Sequence, residues 1–179
     1  MQTSKPVAYV GVDPGLKGGI VSLTGDGLLS CRCQHLELEY VAREEVVRWV
    51  RLLCDAHRVV CVLEKIPTAI FGIKKSDMSK LYGSYAELRA MFICCGIFPQ
   101  EIPADVWLRE FIGPRKKGES TTHWKNRHRD CARKLYDDGT ISTNMCDAYL
   151  IALYCDRLHN GKLRGDGGGK KSDARESVD

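Results

Sequence analysis

The sequence contains no apolar run approaching the roughly 20 residues that a membrane-spanning helix requires, which argues against a membrane partner. It has no C-x-x-C pair. Its nine cysteines stand at 31, 33, 54, 61, 94, 95, 131, 146 and 155. An odd number, set mostly in apolar or helical stretches, points to small buried hydrophobes in a reducing compartment rather than to a disulfide framework or a zinc site. There is no internal repeat, which excludes solenoids and propellers. The first residues, Met1 to Pro6, are short and polar and lead straight into strand-like sequence, so no signal or transit peptide is expected. The expected setting is intracellular, with an organellar matrix (chloroplast or mitochondrion, after loss of a presequence) or the nucleus open. With 179 residues the chain suits one domain, read as 1–160, followed by a disordered polar tail over 161–179.

What is present begins with two wholly apolar strands that end in acids. Val7 to Val12 reads as a buried strand ending at Asp13, and Val59 to Leu63 as another ending at Glu64. Between them, Pro14-Gly15 marks a turn, Gly19 to Leu23 a second strand, Gly25-Asp26-Gly27 a hairpin turn and Leu28 to Leu38 a third strand. Helical spacing is predicted for Glu44–His57 and for Ser79–Cys95, closed by Gly96. Ile66 to Asp77 reads as a loop and Ile97 to Ile102 as a short strand. Pro103 opens a helix, Ala104 to Phe111, from the first-turn position. A basic loop runs from Gly113 to Thr122, a basic helix from there to Tyr136, and Thr143 is expected to cap a last helix, Asn144 to His159. The order predicts an α/β fold with a mixed five-stranded sheet, an antiparallel three-strand meander extended by parallel strands through helical crossovers and flanked by helices.

Read alone, Asp13 and Glu64 are as well explained as acids capping turns. Asp147 shifts the balance, because it stands among Ala148, Leu150, Ile151 and Ala152, where a charge needs a reason. A helix N-terminus supplies one; a metal ligand is the sharper one. Asn144, three residues earlier, shares a helix face with Asp147, and its amide oxygen could assist. Oxygen donors without a His–Cys set suit Mg²⁺ or Mn²⁺. Two such ions clamp an in-line phosphoryl displacement, one activating a water and one stabilising the leaving 3′ oxygen.

The formal net charge is only +4, yet Arg109 to Lys134 holds nine Lys or Arg against three Asp or Glu, a local balance of +6. Arg115, Lys116, Lys117, Lys125, Arg127, Arg129 and Arg133 in this block, with Lys74 and Lys75 from the loop after Glu64, form a candidate surface for a polyanion such as DNA. A solvated helical face accounts for the charge equally well.

Several stretches resemble the RuvC-type Holliday junction resolvases of the RNase H-like superfamily. "VGVDPGLKGGIVSL", Val10 to Leu23, resembles their first motif, and "VLEK", Val62 to Lys65, their second. "IPADVWLREFIG", Ile102 to Gly113, resembles the segment entering their basic loop. "KNRHRDCARKLY", Lys125 to Tyr136, is similar to the helix after it, and "NMCDAYLIALY", Asn144 to Tyr154, to the final acidic motif. The Val106-Trp107 pair and the Lys125-x-x-x-Arg129 spacing resemble the plant chloroplast branch more than the bacterial one. The resemblance spans roughly residues 7 to 159. It implies an RNase H-like fold and an endonuclease that cuts four-way DNA junctions as a homodimer, leaving 5′-phosphate and 3′-hydroxyl ends. Asp13, Glu64 and Asp147 become ligands of two Mg²⁺ or Mn²⁺ ions, and Lys125 the contact to the scissile phosphate, with Lys116, Lys117 and Arg129 as rivals. Phe71 takes the role of an aromatic stacking at the junction centre, and the helix over 79–95 that of the dimer helix. Bacterial members carry a fourth carboxylate where this chain has Asn144. The alternatives are therefore a junction-binding protein with a weakened or disabled site, and an RNase H-like nuclease acting on another structured nucleic acid. An actin-like ATPase, which also opens on G-x-D-x-G, would need about twice the length and a second phosphate loop.

Overall fold

In a computed structural model, residues 4–15, 17–25, 32–39, 41–68, 74–136 and 141–163 are described, the side chains of 32–35 excepted. Five strands form one sheet in the order β3-β2-β1-β4-β5. They are β1 (Val7–Asp13), β2 (Gly19–Thr24), β3 (Arg32–Glu37), β4 (Arg58–Lys65) and β5 (Gln100–Pro103). β1 pairs antiparallel with β2, and β2 with β3; β4 lies parallel to β1, and β5 to β4. The mixed sheet predicted from the order of elements is the one observed.

Alternation along the strands sorts the core into two layers. Val10 and Val12 of β1, Ile20 of β2, and Cys61 and Leu63 of β4 face α1 (Arg43–Ala56) and α2 (Lys75–Cys94). Tyr9, Val21, Leu23, Val60 and Val62 face the other way, toward α3 (Ala104–Ile112), α4 (Thr121–Leu135) and α5 (Cys146–His159). No helix among the described residues is long and apolar enough to cross a membrane.

α5 is the central helix. An added Cβ at Gly11 would stand 2.2 Å from Ala152 N, 2.4 Å from Ala148 O and 2.7 Å from the Ile151 carbonyl carbon, so the helix backbone lies directly on β1 at that residue. Toward the far end of α5, Asn160 donates to Tyr9 Oη at 3.1 Å and His159 stacks on Tyr9 at 6.4 Å. Toward its start, Met145 fills the space over Gly19, the β2 partner of Asp13. The helix therefore runs antiparallel to β1, and its N-terminus sits over the edge where β1 ends.

Several boundaries differ from the expectation. α2 begins at Lys75 rather than 79, because its first turn (Lys75, Ser76, Asp77) is exposed and shows no apolar period. Gly96, at φ +79°, closes this helix as expected: Gly96 N–H donates to Ile93 O and Ile97 N–H to Phe92 O. That turn and Pro99 delay β5 to Gln100. Pro103 sits at the N-cap of α3, extended at ψ 150°, and not inside its first turn. Thr143 does not cap the last helix. It opens a turn of 3-10 helix, Thr143–Met145, and α5 starts at Cys146. The residue before that turn, Ser142, spends its hydroxyl on Glu37 at 2.6 Å. Leu163 still packs on the core, whereas 164–179, most of the expected tail, lies outside the described residues, as do 28–31 of the expected third strand.

Candidate active site

Asp13, Glu64 and Asp147 converge through three separate pieces of backbone. Asp13 is the last residue of β1 and lies on the same face as Gly11, the face against which α5 packs. Glu64 lies next to it, because the parallel register sets Val12 beside Leu63, and Glu64 shares a face with Val62 beneath α5. Asp147 is in the first turn of α5, whose N-terminus ends at this edge. Carboxyl ends of parallel strands form the mouth of sites in open α/β sheets.

The acids feel one another. Burial pushes the Asp13 carboxyl up to about 7, the negative charge of Asp147 adds to the rise, and the Gly15 N–H, donating to Oδ1 at 2.9 Å, partly offsets it. Burial, then Asp13, then Asp147 push Glu64 well above the carboxylate range. The Trp107 indole opposes this, although its buried N–H lies outside hydrogen-bonding geometry. Like charges gathered in a desolvated place, with no Lys or Arg of the described residues acting on Asp13 or Glu64, leave a deficit of positive charge that the N-terminal end of α5 meets only in part. Among the described residues, no three His, Cys, Asp or Glu side chains stand close enough as placed to enclose an ion.

One contact was missed in the sequence. His128 of α4 is buried and its Nδ1 stands 2.9 Å from Asp147 Oδ1. The signal was there: Trp124, His128 and Ala132 recur every four residues along the inner side of an otherwise basic helix, and a histidine on that stripe needs a partner.

Asn144 lies half-buried in the 3-10 turn, so it shares an approach to the site with Asp147 but not a continuous α-helical face. Lys125 is exposed on α4, one turn before His128. Lys116 and Lys117 are exposed on the loop between α3 and α4. Arg115, itself exposed, bridges that loop, donating to Glu119 O at 2.6 and 3.0 Å. Arg127 is likewise engaged: it pairs with Glu119 at 3.1 Å, donates to Ile112 O and lies 5.2 Å over the Trp124 ring. These two arginines shape the loop, and Arg115, Lys116 and Lys117 on it stay exposed to solvent. Arg129 is half-buried, and Arg133 reaches Asp130 and Thr143 at 3.4 Å each. Lys74 and Lys75, both exposed, open α2. Phe71 lies outside the described residues.

No family model matches the chain, and no curated protein matches it. Among solved structures it is similar to T. thermophilus RuvC in complex with a Holliday junction substrate, with a TM-score of 0.54 at 16% identity over 89% of this chain and 98% of that one. It is also similar to the Thermus thermophilus RuvC structure, with a TM-score of 0.49 at 13% identity over 88% and 98% of the two chains. The first likeness, covering nearly the whole of both chains, shows that this chain has the RNase H-like fold of RuvC.

Proposed function

We propose that this chain is a metal-dependent endonuclease that resolves four-way DNA junctions as a homodimer. The observation that carries the reading is the convergence of Asp13, Glu64 and Asp147 where β1 and β4 end in an RNase H-like sheet, each raised or raising another, with no Lys or Arg of the described residues acting on Asp13 or Glu64. The donor set fits a hard cation: all oxygen, partly buried and mutually repulsive. Asp13, Glu64 and Asp147 would hold one or two Mg²⁺ or Mn²⁺ ions, with the Asn144 amide oxygen alongside. Bound there, the ions supply an activated water and charge stabilisation at the leaving 3′ oxygen.

The chain's own residues do the rest. Lys125, exposed on α4 one turn before His128, meets the scissile phosphate and offsets the charge that builds in the transition state. Lys116 and Lys117, on a loop held in shape by Arg115, Glu119 and Arg127, grip the DNA backbone together with Arg129, Arg133, Lys74 and Lys75. The products carry 5′-phosphate and 3′-hydroxyl ends. α2 supplies the dimer contact: Gly83, Ala86, Ala90 and Cys94 form an exposed stripe of small residues along it, and nothing lies within 4 Å of an added Cβ at Gly83. Two sites related by a twofold axis suit two opposed nicks. A nearer tie to the plant chloroplast branch rests on Val106-Trp107 and the Lys125–Arg129 spacing.

The test is cleavage of a labelled immobile four-way junction, beside duplex and RNA–DNA hybrid controls, with Mg²⁺ or Mn²⁺ and with Asp13→Asn as the blank. Paired symmetric nicks in the junction alone, lost in the variant, support the reading. Nicks in the hybrid alone would replace it with an RNase H-type activity. Asn144 favours a second reading, a junction binder with a weakened centre. Tight binding without nicks supports that one, and Asn144→Asp then separates a disabled enzyme, which regains cleavage, from a pure binder, which does not.

A further inference from the structure

We propose that His128 is a positioning residue for Asp147, holding its carboxylate through Nδ1 and so locking the basic helix α4 in register with the acid cluster. The role rests on the metal-nuclease reading above and names the device that aligns its DNA-facing and ion-facing halves.

The geometry is specific. His128 is 7% exposed on a helix whose outer surface is polar and charged. Its Nδ1 lies 2.9 Å from Asp147 Oδ1, and its Nε2 is buried without a partner. An ionised carboxylate only accepts, so the ring donates from Nδ1. Nε2 has no hydrogen-bond partner among the described residues. Nδ1 is thus spent on Asp147 and Nε2 is sealed inside, so the ring neither ligates an ion nor reaches a substrate. Orientation of Asp147 is what remains to it.

The bond is also one of the ties that place α4. Farther along, Tyr149 of α5 donates to Leu135 O at 2.8 Å, and Tyr136 packs edge-on to Tyr149 at 5.2 Å. At the near end the tie is His128–Asp147. Lys125 is one helical turn away, so whatever fixes His128 also fixes the lysine assigned to the phosphate. A ligating carboxylate is oriented by its hydrogen-bond partners, and losing one weakens metal affinity by roughly 10- to 100-fold.

Three variants separate this from a merely space-filling role. His128→Asn carries an amide N–H near the Nδ1 position, His128→Gln carries one near Nε2, and His128→Leu keeps bulk with no donor. All three should melt cooperatively. The first readout, on the metal-free full chain, is the imidazole ¹⁵N signature of His128. A proton is expected on Nδ1, with a signal that moves in Asp147→Asn; an Nδ1 without a proton overturns the proposal. The second is calorimetric titration with Mn²⁺ alone. His128→Leu and His128→Gln are expected to bind roughly tenfold or more weakly, and His128→Asn close to the unmodified chain. Equal affinity in all three overturns the positioning role. Asp147→Asn is the reference. If it loses Mn²⁺ while His128→Leu keeps it, only the role of His128 falls. If Asp147→Asn itself keeps Mn²⁺, the carboxylate site and the role of His128 fall together.

Discussion

At the scale of single residues, the site is defined by charge in the wrong solvent. Asp13 binds its proton more tightly in the folded chain, up to about 7, than at the ordinary value of 3.8. Its contribution to stability is therefore fully present below the ordinary value and lost as the pH rises through the folded one. In the metal-free chain at pH 8 the ionised group opposes folding. Asp13→Asn should then stabilise the metal-free protein at pH 8 by about 1 kcal/mol or more, since each tenfold change in proton affinity is about 1.4 kcal/mol, and the gain should vanish in acid. Denaturant titrations across pH check this, and a loss of stability at pH 8 would contradict it. Mg²⁺ should raise the melting temperature more at pH 8 than at pH 5, because protons and metal compete for the same oxygens. The three acids were legible as candidates in the sequence because Asp13 and Glu64 each end an apolar strand and Asp147 interrupts an apolar helix, where charge rarely stands without a purpose. His128 was not, because a helix with five Lys or Arg in its fifteen residues hides an inward histidine until its partner in another helix is seen.

At the scale of elements, the site depends on how closely α5 lies on β1. Gly11→Ala would press a methyl group into the helix backbone at Ala148 and Ala152, atoms that cannot swing aside. Overpacking of this kind costs roughly 1–3 kcal/mol or more. The expected result is a lowered denaturation midpoint together with weaker Mn²⁺ binding, since Asp147 moves with the helix. Unchanged stability would mean that α5 sits farther from the sheet. The basic loop offers a second check. Glu119 receives Arg127, and its carbonyl receives Arg115. Glu119→Ala should therefore speed trypsin cleavage after Lys116 and Lys117 while the rest of the chain stays resistant. The mixed sheet, a meander extended by parallel strands and flanked by helices, followed from the order of the apolar-periodic elements. The start of α2 and the 3-10 entry to α5 did not, because exposed first turns carry no period and Ser142 is bound to Glu37 across the fold rather than to its own helix.

At the scale of the whole molecule, the ends of β1 and β4 and the start of α5 gather three acids, while α4 and the loop before it carry exposed lysines. Junction binding should fall steeply with salt: a surface meeting six or more phosphates loses roughly a thousandfold in affinity between about 50 and 200 mM. A flat profile in a fluorescence titration would move the DNA elsewhere. The dimer contact is equally open to test, for Ala90→Arg on the small-residue stripe of α2 should shift the protein to monomer in sedimentation and abolish paired nicking. A dimer of unchanged mass would place the interface on another face. The claim on which all of this stands is that Asp13, Glu64 and Asp147 build one cation site. Crystals soaked in Mn²⁺ at pH 8 and measured for anomalous scattering address it most directly. An anomalous peak held among those three carboxylates is the predicted result; no peak there, or one only at other residues, would contradict it.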